Sequence, residues 1–345
     1  MKFKKNFFIK CAIIASLSCV ALPAGSALAM EMSELDTLKK EYIRPTEIPF
    51  PKDNPHSQAK EDLGKILYFD PRLSASGTQS CATCHNPSLG WEDGMATGTG
   101  HQHKKLDRSS PTILNLAWDE LYMWDGRADS LEEQALGPIQ AGVEMNMSMI
   151  ELIKKLNDIK EYAPLFEKAF PEDPQITDKN IGKAIATYER TIVSGEAPFD
   201  RWINGDEDAI SASAKRGFIL FNKKANCAAC HSGWNFSDSS FHDIGLDDDD
   251  LGRGKLIPHI VPMQHAFKTV GLRNIDRRAP YMHDGSLNTL EEVVDHYDHG
   301  FVKRESLSDD IKQLNLTKAE KRDLVEFMRS LTSQDEPVTF PDLPR

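Results

Sequence analysis

Two short motifs place a pair of cysteines directly before a histidine. The first reads CATCH at 81–85 and the second reads CAACH at 227–231. In a C-x-x-C-H motif the two thiols form thioether bonds to the vinyl groups of a haem, and the adjacent histidine ligates its iron. The spacing therefore predicts two covalently bound haem c groups. The predicted attachment and ligand residues are Cys81, Cys84, His85, Cys227, Cys230 and His231.

The remaining two cysteines, Cys11 and Cys19, lie in an apolar segment near the N-terminus. A disulfide framework would not require a histidine after each cysteine pair. A zinc site usually takes two C-x-x-C pairs that lie close in sequence, whereas these pairs lie far apart. Haem attachment is therefore favoured over both alternatives.

The N-terminal segment has the organisation of an export signal. Four lysines lie among the first ten residues, an apolar stretch follows at 11–22, and the small residues at 26–29 favour cleavage after Ala29. An uncleaved anchor is the alternative, but the apolar stretch is short for a membrane span. We predict a signal peptide at 1–29 and a periplasmic protein without stable membrane insertion.

The composition describes an acidic globular protein. The chain has 345 residues, 40% hydrophobic content and a formal net charge of -12. This length accommodates two ordinary domains. Binding to phosphate backbones needs clustered cations, and no basic block stands out, so nucleic acid is not expected as a partner.

A short internal repeat follows the two motifs. Segment 124–133 reads WDGRADSLEE and segment 283–292 reads HDGSLNTLEE. Both contain an S/T-x-x-E pattern, which is typical of a helix N-terminus. The repeat indicates duplication of a unit that binds one haem.

Helical periodicity dominates the rest of the chain. Segments 177–194, 213–224 and 317–331 carry apolar residues at helical spacing, and strand signals are few. We predict an all-α fold with two cytochrome c-like domains. The N-terminal domain would span 30–200 with haem 1, and the C-terminal domain would span 201–345 with haem 2.

The repeat predicts that the two haems differ in coordination. Tyr297 shares one helical face with Leu290, Val293 and Val294, so it is a candidate sixth ligand of the second haem. The equivalent position in the first copy is Pro138, which has no ligating group and disfavours a helix. The first haem would therefore keep an open face for a substrate. An ordinary core tyrosine is the alternative for Tyr297.

Four longer segments resemble the bacterial di-haem cytochrome c peroxidase/MauG family. They read LGKILYFDPRLSASGTQSCATCHNP, WDGRADSLEEQALGPIQAGVEMN, FKTVGLRNIDRRAPYMHDGS and TLEEVVDHYDHG, and the resemblance covers nearly all of 45–335. It implies two cytochrome c-like domains and reaction with hydrogen peroxide at the N-terminal haem.

The resemblance also implies roles for single residues. Trp124 would lie between the haems, Gln134 matches a distal-pocket glutamine, and Glu144 matches a catalytic glutamate that moves a proton. A core tryptophan and a surface glutamate are the alternatives for Trp124 and Glu144.

The family usually holds a calcium ion between its domains. Its ligand asparagine appears here as Ser109 and its usual threonine as Arg278, so the resemblance is weakest at this site. Backbone carbonyl groups of Arg278 and Pro280 could still bind the ion. Calcium is therefore expected on a weakened set of ligands.

Two features of the resemblance favour different subfamilies. Tyr297 stands where true peroxidases usually have methionine, as in MauG/MbnH-type enzymes, which oxidise residues of a partner protein through a high-valent state shared by both haems. His101 matches a histidine that caps the first haem in resting peroxidases, although an exposed loop histidine is the alternative. The alternative function is reduction of peroxide to water with electrons from a small cytochrome c or a copper protein.

An electron carrier and a haem sensor are two other classes of protein that contain haem c. A simple electron carrier would not need an open haem face, and a haem sensor would normally carry an output domain for which no residues remain. An enzyme that uses hydrogen peroxide is therefore the favoured function.

Overall fold

The computed structural model describes residues 34–345, so the predicted signal peptide at 1–29 lies outside the described residues. The chain divides into two units, Met1–Leu38 and Lys39–Arg345. Residues 34–38 of the first unit are helical. The second unit contains both cysteine–histidine motifs. Within the described residues, no helix is both long enough and apolar enough to cross a bilayer.

The described chain is mostly helical, as predicted. The α-helices are α1 Gln58–Phe69, α2 Cys81–Cys84, α3 Leu131–Gln140, α4 Met149–Asp158, α5 Tyr162–Ala169, α6 Asp178–Thr191, α7 Pro198–Ile203, α8 Ala212–Asn222, α9 Leu290–Asp295 and α10 Lys318–Arg329. A π-helix, His296–Gly300, continues α9. Short 3₁₀ turns cover Pro71–Leu73, Pro87–Leu89, His101–His103, Leu116–Trp118, Cys227–Ala229, Arg253–Lys255, Val261–Met263 and Ile275–Arg277. Strands β1 Phe241–His242 and β2 Phe267–Lys268 pair antiparallel.

Side-chain caps explain where several helices begin. Thr289 Oγ1 accepts a hydrogen bond from Glu292 N at 3.1 Å, and the Glu292 carboxylate accepts one from Thr289 N. This is the reciprocal capping box expected at α9. At α3 only half of the box forms. Ser130 Oγ caps Glu133 N, but the Glu133 carboxylate accepts from Asp129 N instead of Ser130 N.

One close helix crossing organises each cysteine–histidine half. A Cβ atom on Gly64 of α1 would lie 1.9 Å from the Ala184 carbonyl oxygen of α6. A Cβ atom on Gly217 of α8 would lie 2.0 Å from the Asp323 carbonyl oxygen of α10. Both crossings therefore bring backbone against backbone at a distance that only glycine permits.

Different side chains fill the cores around these crossings. The α1–α6 core is largely aliphatic and contains buried Leu63, Leu67, Ile181 and Ile185. The α8–α10 core is aromatic, with edge-to-face and tilted contacts among rings whose centroids lie 5.0–5.9 Å apart. Its buried rings include Tyr42, Phe199, Phe218, Phe236 and Phe327. Each core supplies the apolar burial that a covalently bound haem needs.

The internal repeat is a repeat of structure. Tyr122 N donates to Ala128 O at 3.0 Å in the first copy, and Tyr281 N donates to Leu287 O at 2.6 Å in the second. Pro138 does not break α3, since the helix continues to Gln140. A proline costs only one backbone hydrogen bond in the last turn of a helix. The predicted domain boundary near residue 200 stays a prediction.

We expect Gly64→Ala to destabilise the haem-loaded protein by about 1–3 kcal/mol or more, because the methyl group would force α1 away from α6. Gly137→Ala is the matched control. Its Cβ atom would meet nothing closer than 3.7 Å. Helix propensity alone should then leave this variant neutral or more stable by about 0.5–1 kcal/mol. Denaturant unfolding measures both, and equal stabilities would contradict the proposed crossing.

Candidate active site

The first cysteine–histidine motif forms one helical turn that presents its histidine. Ser80 precedes α2, and His85 N donates to Cys81 O at 2.9 Å. The His85 imidazole Nδ1 lies 3.4 Å from Trp91 O, and burial lowers the pKa of His85. A neutral imidazole with Nδ1 held by the backbone leaves Nε2 free for a metal.

The second motif repeats this arrangement. His231 N donates to Cys227 O at 2.9 Å, and His231 Nδ1 lies 2.8 Å from Phe236 O. Burial lowers the pKa of His231 as well. The same backbone constraint therefore prepares both histidines as iron ligands.

A cavity lies beside each of these motifs. A cavity of about 190 Å³ is lined by Cys227, Cys230 and His231, and a second of about 50 Å³ is lined by His85. All four motif cysteines carry free thiols, as thioether formation requires. The larger cavity is walled by apolar side chains, among them Phe221, Leu272, Leu290, Val293, Val294, Leu324 and Met328.

Tyr297 lines the same cavity as Cys227, Cys230 and His231. It lies in the π-helix after α9, a type of distortion that is frequent at functional sites. Burial raises the pKa of Tyr297 far above its usual value. The phenol would therefore stay protonated in this cavity unless a cation such as ferric iron stabilised the phenolate.

Four other residues of the C-terminal half have side chains that could ligate the second haem. Met282 and His283 line the cavity, whereas Met263 and His296 do not. His296 Nε2 lies 2.9 Å from Ile244 O and is engaged there. Of these four residues, only Met282 and His283 lie beside Tyr297 in the cavity.

Trp124 lines both cavities. Its indole Nε1 donates to Ser109 O at 2.9 Å, and its ring meets the His283 ring edge-on with centroids 6.3 Å apart. Trp124 and His283 are equivalent positions of the internal repeat. The two copies therefore meet between the cavities.

Gln134 lines the smaller cavity together with His85. Its Oε1 atom is buried and has no hydrogen-bond partner within the described chain. A buried amide oxygen without a partner is costly unless a ligand or water satisfies it. This atom therefore faces space suited to a hydrogen-bond donor.

Glu144 does not line the smaller cavity, but it lies near the haem attachment residue Cys84. Burial, together with the charges of Asp93 and Glu144, raises the pKa of Cys84 to about 11. Burial also raises the pKa of Glu144, while the charge of Arg127 lowers it. The structure thus places Gln134 in the cavity and Glu144 within electrostatic reach of it.

The loop that carries His101 is fastened to the segment that carries Glu144. His101 N donates to Val143 O at 3.0 Å, and a Cβ atom on Gly100 would lie 2.9 Å from Glu144 Cα. The His101 Nδ1 atom is buried without a hydrogen-bond partner in the part of the chain described. His101 is therefore not an exposed loop residue.

Ser109, Arg278 and Pro280 all line the larger cavity, but they do not form a free set of oxygen ligands. Ser109 Oγ donates to Met282 O at 3.0 Å, and Ser109 O accepts from Trp124. The side chain of Arg278 brings a buried guanidinium to the same wall. The Ser109 hydroxyl and the Arg278 guanidinium therefore do not suit a calcium ion, and calcium stays a prediction of the resemblance.

Sequence reasoning did not single out two charged residues of the larger cavity. Glu92 lies near the Arg278 guanidinium, with Oε1 3.4 Å from Nε. His242 contacts Asp238, which raises the pKa of the imidazole to about 10. Neither residue belongs to a recognisable motif, so only their burial reveals them.

Comparisons with known proteins agree with this geometry. The model of the family described as di-haem cytochrome c peroxidase matches residues 58–208, and a cytochrome c model matches 214–332. The methylamine utilization protein MauG of Methylorubrum extorquens is 51% identical over 96% of this chain and 94% of its own. The chain belongs to the di-haem cytochrome c peroxidase/MauG family.

More distant family members include both a peroxidase and a MauG-like protein. Cytochrome-c peroxidase IdrP1 of Pseudomonas sp. strain SCT is 38% identical, over 86% of each chain. A solved MauG-like protein associated with microbial copper homeostasis is 31% identical and superimposes with a TM-score of 0.78, covering 85% of this chain and 94% of its own. The protein is thus a peroxide-dependent oxidoreductase that has two cytochrome c-like domains and carries two haem c groups.

We expect the intact mass of the protein to equal its polypeptide plus two haems. Cys227→Ala with Cys230→Ala should remove one haem, because both thioether bonds of the second site are lost. The matched pair Cys81→Ala with Cys84→Ala should remove the other. Denaturing mass spectrometry reads the haem count directly, and two haems on either double variant would contradict the assigned attachment sites.

Proposed function

We propose that this protein is exported to the periplasm and uses hydrogen peroxide to oxidise residues of a partner protein. The observation that carries the proposal is that Tyr297, at the position where the resemblance places methionine in true peroxidases, lines the cavity of the second motif. The 51% identity to MauG supports the same function. The partner would be a periplasmic protein of the redox or copper-binding type.

Tyr297 acts through its charge in this proposal. When bound, the haem groups supply iron that accepts oxidising equivalents from peroxide. A phenolate ligand stabilises the oxidised form of iron and lowers its reduction potential, whereas a thioether raises it. Tyr297 therefore suits a site that holds oxidising equivalents for a partner and poorly suits one that collects electrons from ordinary cytochromes.

Glu144 and Gln134 would transfer a proton within the peroxide and orient it, respectively. Glu144 would carry the proton from the first oxygen of peroxide to the departing oxygen, which leaves as water. Its raised pKa favours this role, since a proton shuttle works best when its pKa lies near the ambient pH. The unpartnered Oε1 atom of Gln134 would accept a hydrogen bond from the bound peroxide.

Trp124 connects the two sites. Its ring lines both cavities, and its indole N–H is held by Ser109 O, so the ring has a defined orientation. A fixed aromatic ring between two redox groups shortens each transfer step. We assign Trp124 the transfer of oxidising equivalents between the sites.

His101 supports the alternative, a cytochrome c peroxidase that takes electrons from a small cytochrome c or a copper protein. Its buried and unpartnered Nδ1 atom, on a loop fastened to the Glu144 segment, is suited to capping the first haem at rest. Peroxide would then bind only after that cap is released. Tyr297 favours the first function and His101 the second.

Glu144→Gln should slow the reaction with peroxide by about 10²–10⁴-fold, because the amide keeps the shape of the side chain but cannot carry the proton. Stopped-flow absorbance of the haem bands after mixing with peroxide measures this rate. Glu167→Gln, on the exposed face of α5, is the control and should react like the unaltered protein. A rate close to normal in Glu144→Gln would remove Glu144 from the mechanism.

Tyr297→Phe should abolish the low-spin spectrum of the second haem, and Tyr297→Met should raise its potential and speed the oxidation of reduced cytochrome c. Tyr281→Phe is the matched control. It removes a hydroxyl from the same cavity that is bonded to Ile275 O, so it should leave the spectrum unchanged. Absorption spectroscopy and redox titration distinguish the variants.

An unchanged spectrum and potential in Tyr297→Phe would contradict the proposed ligand. Met282 or His283 would then hold the iron, since both line the cavity. The cytochrome c peroxidase function would in that case be favoured over oxidation of a partner protein. Oxidation of a candidate partner by the unaltered protein and peroxide, detected by mass spectrometry, tests the proposed function directly.

A further inference from the structure

We propose that the guanidinium of Arg278, paired with Glu92, takes the place of a calcium ion between the two haem sites. The protein would then keep its inter-haem structure without any bound calcium. This inference rests on the contacts of Arg278, Glu92 and Ser109. It does not depend on which partner the enzyme oxidises.

Arg278 is a buried cation with a specific set of contacts. Only 3% of the residue is exposed, one guanidinium nitrogen donates to Gly271 O at 2.8 Å, and Nε lies 3.4 Å from Glu92 Oε1. The Nε atom makes no hydrogen bond within the described residues. A buried guanidinium is costly unless it is paired, so this charge must serve the site it lines.

The aliphatic part of the Arg278 side chain packs closely against Gly90. A Cβ atom on Gly90 would lie 2.6 Å from Arg278 Cγ, so any larger residue at position 90 would displace the side chain. Gly90 also has φ +67°, a conformation that favours glycine. Both requirements at one position indicate that the fold accommodates the arginine closely.

Glu92 supplies the opposite charge. Its pKa is raised to about 7, because the effect of burial exceeds the opposing effect of the nearby Arg278 charge. Removing one member of such a pair leaves the other charge buried and uncompensated. Arg278 and Glu92 are therefore expected to depend on each other.

The Ser109 oxygen atoms are already engaged in hydrogen bonds. Ser109 Oγ donates to Met282 O, and Ser109 O accepts the indole N–H of Trp124. Calcium needs six to eight oxygen ligands, usually including carboxylates. The one group of three closely spaced metal-binding side chains in the described chain lies elsewhere, at Cys230, Asp238 and His242. Ser109 is thus a poor replacement for an asparagine ligand, and Arg278 already supplies a buried positive charge at this wall.

The first measurement is the calcium content of the haem-loaded protein. Inductively coupled plasma mass spectrometry should find two irons and substoichiometric calcium. Haem spectra and the thermal unfolding midpoint should not change on adding the chelator EGTA or excess CaCl₂. One tightly held calcium per protein, whose removal alters the spectra, would overturn the proposal.

Variants then test whether the guanidinium replaces the ion. Arg278→Thr combined with Ser109→Asn restores the residues usual in the family and should make the thermal midpoint rise with added CaCl₂. Arg277→Thr, which removes an exposed arginine next in sequence, is the control and should not respond. A combined variant that folds, loads two haems and shows no response to CaCl₂ would contradict the exchange.

The pairing has a separate test that needs no calcium. Arg278→Gln should lower the thermal midpoint of the haem-loaded protein, because it leaves the buried Glu92 carboxylate without a partner. Adding Glu92→Gln to this variant should recover most of the loss. Absence of this recovery would show that Arg278 and Glu92 do not act as a pair. All three readouts are independent of peroxide turnover, so their failure is distinguishable from failure of the proposed function.

Discussion

The burial of two neutral histidines, each with Nδ1 held by a backbone carbonyl, is the constraint on which the rest of the structure depends. His85 and His231 can bind iron through Nε2 only while the fold keeps them dry and correctly oriented. Dry surroundings require a packed core on each side. The glycine crossings of α1 with α6 and of α8 with α10 provide it, because they let backbone approach backbone closely enough to exclude water.

Duplication explains both the similarity and the difference of the two sites. The repeated turns bring Trp124 and His283, equivalent positions of the repeat, edge-on to each other between the cavities. In the same alignment of the repeat, Pro138 of the first copy is equivalent to Tyr297 of the second. We therefore expect one copy to keep an open face for a small oxidant, whereas the other offers a phenol that needs a cation before it can ionise. A shared fold thus supports two unlike iron environments.

Two buried ion pairs lie near these sites. Arg273 contacts Asp200 at 2.7 Å with both side chains almost fully buried, and Arg278 lies beside Glu92. Pairs of this kind add little net stability, because the cost of removing two charges from water offsets their attraction. Their value lies in fixed orientation. A rigid positive charge beside the larger cavity makes the local field a property of the chain rather than of a dissociable ion.

The sequence by itself determined the chemistry and the helical fold. C-x-x-C-H and S/T-x-x-E are local signals, so the haem sites and the start of α9 could be read without the fold. Segment periodicity likewise predicted α6 and α10, with ends displaced by a few residues. The resemblance and the repeat had already suggested Trp124 and Tyr297 for their positions beside the haems. Only the tertiary structure revealed that Ser109 O holds the Trp124 indole and that Glu92 lies beside Arg278. The physical reason is that burial and long-range contact set the pKa values and charge pairing of a site, and neither is encoded in the spacing of neighbouring residues.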